Sequence, residues 1–163
     1  MEKNIDFVVE YYADMIFRTA LSYLGNLTEA EDVVSEALMK YFTDCENLDF
    51  TDGEHLKAWL IRVTVNKCKD VFKSARFKKN TVLEDVYANE FNWSEAEIDI
   101  KKALDKLDHK YRIVLYLYYY EEYKTEEIAE ILHTSKGTVV SRLSRARSKL
   151  KITLSDYGEE MSV

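Results

Sequence analysis

The 163-residue chain contains no proline and only four glycines, Gly25, Gly53, Gly137 and Gly158. Sandwiches, barrels and hairpins depend on those residues, because their turns call for fixed or left-handed backbone angles again and again. A chain so poor in them is expected to be all-α. Hydrophobic residues make up 47% and charged residues 33% of it, the balance of a globular protein with a buried core. No run approaches the roughly 20 apolar residues of a membrane span, and the opening "MEKNIDFVVEYY" lacks the basic-then-apolar order of a signal peptide. No membrane insertion and a cytoplasmic location are therefore expected.

Periodicity locates the helices. Ile5, Val8, Val9, Tyr12, Ile16, Ala20 and Leu24 recur at helical spacing before Gly25-Asn26 stops the run. Three capping boxes, Thr28 with Glu31, Thr51 with Glu54 and Ser94 with Glu97, introduce further helices, including one over 55–77 and one over 95–107. Residues 78–93 have no sustained period and mark a boundary. Two small helical domains are expected, residues 1–79 and 94–163, joined by a linker at 80–93. The second is a four-helix unit with helices at 95–107, 111–122, 125–132 and 135–152. Within it "YRIVLYLYYYEEY" is apolar nearly all round, as suits a central buried helix.

Charge is segregated. The formal net charge is −7, yet residues 62–80 hold seven basic and one acidic side chain, and residues 131–154 are purely basic. Two basic islands on an acidic chain point to two contacts with a polyanion, leaving the acidic remainder for solvent or other proteins.

The second island lies in a helix-turn-helix pattern. Thr125 is placed to cap a helix with Glu126 and Glu127 in its first turn, and Ile128, Ala129 and Leu132 give that helix an inward face. After "HTS", Val139, Leu143, Ala146 and Leu150 form the inward stripe of the next helix, opposite Gly137, Ser141, Ser144, Arg145 and Ser148. Small side chains let a helix backbone sit deep in a major groove. Lys136, Arg142, Arg147 and Lys149 can reach phosphates from the flanks, while Arg145 can reach a phosphate or a base edge. Thr138 lies in the first turn of this second helix. In the first island Arg62, Asn66, Lys69 and Lys73 share one helical stripe, continued by Arg76, Lys78 and Lys79. An amide among cations can read a base edge while its neighbours hold the backbone, or it can be satisfied locally.

In order and spacing these stretches resemble the extracytoplasmic-function (ECF) sigma factors, the small bacterial class with sigma domains 2 and 4 only. "AEDVVSEALMKYF" is similar to the domain 2 helix that binds the beta-prime clamp helices of core RNA polymerase, which implies contacts from Asp32, Ser35 and Glu36. "HLKAWLIRVTVNKCKDVFKSARFKK" matches through Trp59, Leu60, Asn66 and Asp70. "YKTEEIAEILHTSKGTVVSRLSRARSKLK" is the strongest match. The resemblance implies transcription initiation. Lys136, Gly137, Thr138, Ser141, Arg142, Ser144, Arg145 and Lys149 would meet the minus-35 element. Arg62, Asn66, Lys69, Lys73, Arg76, Lys78 and Lys79 would meet the minus-10 element as it opens. Core polymerase, through its clamp helices and beta flap, promoter DNA and an anti-sigma factor are the implied partners. The chain departs from the family pattern at Ser35 for Gln, Val65 for Arg, Asp108 for Pro and His133 for Gly.

Other classes have less in their favour. His55, His109 and His133 have neither metal nor acid–base spacing, no Gly-rich phosphate loop is present, and Cys45 and Cys68 read as small buried hydrophobes. No enzyme activity, cofactor or metal is expected. A stand-alone helix-turn-helix regulator would use residues 125–151 equally well but leaves the 62–79 island unexplained.

Overall fold

A computed structural model describes residues 4–74, 100 and 102–160, with side chains through residue 156. The chain forms two compact units, Met1–Val82 and Leu83–Val163, and no strand occurs among the described residues.

In the first unit α1 (Ile5–Leu24), α2 (Leu27–Asp44) and α3 (Gly53–Lys73) pack pairwise against one another. Val8, Ile16 and Ala20 of α1, Ala30, Val33 and Ala37 of α2, and Leu56, Leu60, Ile61 and Val65 of α3 are wholly buried. Each large aliphatic side chain so placed contributes about 1.5–3 kcal/mol, and the alanines let the helix backbones approach. Thr19 and Thr64 are buried as well. Their hydroxyls donate to the carbonyls of Met15 and Leu60, at 2.8 and 2.7 Å, so neither leaves an orphaned polar atom in the core. Tyr41, Phe50 and Trp59 meet at ring separations of 5.7–6.4 Å and close the α2–α3 connection. Val9, expected on the inward face of α1, is exposed.

The helix starts differ from the expected capping boxes. Asn26 caps α2 by accepting from the Glu29 N–H at 2.9 Å, so Thr28 already lies inside the first turn. Asp52 caps α3 by accepting from the His55 N–H at 2.8 Å, while Thr51 donates its N–H to His55 Nδ1. Asn and Asp compete well with Thr at this position. Gly25 ends α1 as expected, left-handed at φ 66° with its N–H on the Leu21 carbonyl. The helix expected over 55–77 ends at Lys73, where Ser74 turns extended (ψ 140°) and its hydroxyl donates to the Val71 carbonyl.

In the second unit residues 102–105 are helical. The Ser94–Glu97 box, most of the helix expected over 95–107, and the linker at 80–93 lie outside the described residues. α4 (His109–Leu115) follows, with Arg112 donating to the carbonyls of Leu107 and Asp105 at 3.1 and 3.4 Å and so closing the preceding turn. The helix expected over 111–122 does not continue as such. It widens into a π-helical turn over Tyr116–Tyr120, with Glu121 N–H on the Tyr116 carbonyl and the Tyr116 hydroxyl donating to Glu121 at 2.5 Å. Ile113, Val114, Leu115 and Leu117 are buried as expected of a central helix, but the wider turn leaves Tyr119 and Tyr120 more than half exposed.

α5 (Thr125–Leu132) and α6 (Lys136–Glu160) form the helix-turn-helix. Thr125 does not cap α5. Lys124 stands at the cap, its N–H is taken by Glu127 at 2.8 Å, and the Thr125 hydroxyl donates to Glu126. His133 turns the chain in the left-handed region (φ 52°), the position where Gly is favoured. Ser135 then accepts from the Thr138 N–H at 3.1 Å and opens α6, which runs to Glu160 rather than 152.

Candidate nucleic-acid interface

α6 presents two faces. Val139, Leu143 and Ala146 are buried, Leu150 is half-buried, and the helix packs on α4 and α5. Gly137, Ser141, Ser144, Arg145 and Ser148 are exposed, with Arg142 half-buried beside them. An open groove of about 470 Å³ runs along this face. Gly137, Thr138, Ser141, Arg142 and Arg145 line it from α6 and Ser135 from the turn. No carboxylate lines it, so the groove offers cations and hydroxyl donors together, the chemistry that holds a phosphodiester.

Three of the expected phosphate contacts have partners within the chain. Lys136 forms an ion pair with Glu126 across the helix-turn-helix. The Lys136 hydrogen bond, with a backbone N–H and the Thr125 hydroxyl, holds the Glu126 carboxyl down at about 2. Arg147 donates to the Tyr119 hydroxyl at 2.6 Å and lies 5.4 Å from that ring, so the π-helical turn is tied to α6. Lys149 sits 5.7 Å from the Tyr111 ring.

Sequence reasoning missed Lys110 and Tyr111, which line the same groove from α4. Neither belongs to a basic run or to the helix-turn-helix pattern. Val140, 47% exposed among the small residues of the outer face, was also passed over.

On α3 Leu56, Leu60, Ile61, Val65 and Cys68 are buried, and Trp59, Val63 and Phe72 half-buried. The stripe between these flanks carries Arg62 and Lys69, half-buried, and Asn66 and Lys73, exposed, with Asp70 alongside. The Arg62 Nε is buried without a hydrogen-bond partner. Arg76, Lys78 and Lys79 lie outside the described residues. On α2 Asp32, Ser35 and Glu36 share one exposed face. Lys67 of α3 reaches Glu36 at 3.5 Å, and the Ser35 hydroxyl donates to the Glu31 carbonyl. Met39 and Phe42 continue that face, 63% and 62% exposed. They were missed too, although they fall outside the inward register of Val33, Ala37 and Tyr41.

Cys45 and Cys68 are buried thiols, and burial pushes the Cys68 thiol far above its ordinary range, away from reactivity. No described helix is long and apolar enough to cross a membrane.

Two family models match the chain, one described as Sigma-70 region 2 over residues 8–78 and one as Sigma-70, region 4 over residues 91–150. The ECF RNA polymerase sigma factor SigL of Mycobacterium tuberculosis is 32% identical over 154 residues, spanning 90% of this chain and 86% of SigL. RNA polymerase sigma factor SigV of Bacillus subtilis is 30% identical over 142 residues, 85% of this chain and 83% of SigV. Among solved structures, the sigma factor RpoE in complex with the anti-sigma factor NepR from Bartonella quintana superposes with a TM-score of 0.75 at 25% identity, covering 94% of this chain and 98% of RpoE. CnrH in complex with the cytosolic domain of CnrY shares the fold, with a TM-score of 0.65 at 23% identity. The three-helix bundle thus coincides with sigma region 2 and the helix-turn-helix unit with region 4, and the chain belongs to the ECF RNA polymerase sigma factors, the alternative sigma factors of transcription initiation.

Proposed function

We propose that the chain, working in the cytoplasm and without catalytic residues of its own, directs core RNA polymerase to promoters through two DNA contacts on two domains. Residues 1–79 form the polymerase-binding and minus-10 domain, 80–93 a linker, and 94–163 the minus-35 domain. α6 enters the minus-35 major groove, with Gly137, Ser141 and Ser144 admitting the backbone and Arg145 at the base edges. Lys136, Thr138, Arg142 and Lys149 hold the flanking phosphates, and Lys136 exchanges Glu126 for DNA on docking.

The α3 stripe holds the non-template strand as the minus-10 element opens. Arg62, Lys69 and Lys73, continued by Arg76, Lys78 and Lys79, bind its backbone around Asn66, which takes an unstacked base. Capturing that base offsets the few kcal/mol of unpairing, so melting requires no chemistry. Asp32, Ser35 and Glu36, extended by Met39 and Phe42, meet the clamp helices of core polymerase, and the second domain meets the beta flap. The two similar folds solved with an anti-sigma factor and with the cytosolic domain of CnrY support a protein inhibitor as a further partner.

The observation that carries the reading is the carboxylate-free groove under a helix whose outer face is small and basic. The test is reconstitution. With core polymerase the purified chain is expected to start transcription at a few defined promoters, and alone to hold duplex DNA weakly. Tight binding alone, with no initiation, would instead mark a free-standing regulator.

A further inference from the structure

The groove on α6 is completed from a helix that the helix-turn-helix does not include. Lys110 and Tyr111 of α4 line it together with Arg142 and Arg145. The Lys110 ammonium lies 5.1 Å from the centre of the Tyr111 ring, and the Lys149 ammonium of α6 lies 5.7 Å from the same ring. The buried Tyr111 ring therefore has two cations near it, one from each of two helices. Lys110 forms no ion pair among the described residues. A cation that a ring positions beside a carboxylate-free groove has one evident use, which is an anion lying in that groove.

We infer that Lys110, held over Tyr111, binds a backbone phosphate of the promoter duplex beside the α6 contacts, extending the DNA footprint of the second domain from the helix-turn-helix to α4. The inference rests on the proposed minus-35 role of α6 and adds a residue to it. A point charge on a flexible stem suits a phosphate and carries no base information. Lys110 should thus set affinity and salt dependence while leaving sequence preference unchanged.

The test uses holoenzyme assembled from core polymerase and the full chain. Its binding is followed over a salt series on two duplexes, the minus-35 sequence it selects best and a scrambled version. Lys110→Gln is expected to weaken binding to both by the same factor and to lower the slope of log affinity against log salt by about 0.9, the release of one phosphate's counterions. Lys110→Arg should keep the slope. An unchanged slope in Lys110→Gln, where Arg142→Gln lowers it, overturns the assignment. A loss confined to the selected duplex also overturns it, because Lys110 would then be reading a base. If neither variant moves the slope, the minus-35 reading of α6 falls, and this inference with it.

Discussion

Gly137 is exposed in the first turn of α6, and a methyl group there would meet only the Ser135 hydroxyl, at 3.9 Å. Nothing among the described residues requires a glycine at this point, while glycine costs a helix up to about 1 kcal/mol relative to alanine. Gly137→Ala is therefore expected to raise stability by up to about 1 kcal/mol in urea unfolding. It should nevertheless weaken holoenzyme binding to the minus-35 duplex, because the methyl stands between the helix backbone and the groove. Unchanged DNA affinity would show that the backbone does not approach DNA there. The small face of α6 was readable from residue spacing alone. Lys110 and Tyr111 were not, since a window moved along the chain cannot bring α4 beside α6, and only packing places them on one groove.

At the scale of elements, helix existence was legible and helix ends were less so. Thr28, Thr51 and Thr125 each sit where a capping hydroxyl is plausible, yet Asn26, Asp52 and the Glu127 side chain do the work within three residues of them. Several side-chain oxygens near one helix start make the pattern degenerate. The π-helical turn over Tyr116–Tyr120 escaped for a related reason: an all-round apolar run is compatible with α or π spacing, and the choice is made by packing and by the Tyr116–Glu121 hydrogen bond. The turn between α5 and α6 was legible. A left-handed position costs a residue with a Cβ about 1–2 kcal/mol, while the extra unfolded-state freedom of glycine returns about 0.5–1. Replacing His133 (φ 52°) by Gly is therefore expected to stabilise the second unit by about 0.5–1 kcal/mol, read from its urea midpoint. Destabilisation would mean that the exposed imidazole makes an interaction worth more than the backbone strain.

For the whole molecule, the net charge of −7 conceals the division that matters, with the basic side chains concentrated on α3 and α6 and an acidic face with exposed Met39 and Phe42 on α2. Such a distribution suits a protein that binds DNA weakly by itself and well on polymerase, since a wholly cationic surface would hold any duplex. In the proposed reading two contacts of different kinds on one chain, one for duplex and one for an opening strand, separate an initiation factor from a repressor. The most direct test is permanganate reactivity of minus-10 thymines in complexes formed by wild-type and Asn66→Ala holoenzymes. The expected result is unchanged affinity for core polymerase, an unchanged minus-35 footprint, and reactivity reduced about five- to hundredfold in the variant, the loss of one good base contact (roughly 1–3 kcal/mol). Full opening by Asn66→Ala, or loss of core binding in its place, would contradict the assignment of the α3 stripe to the melted strand.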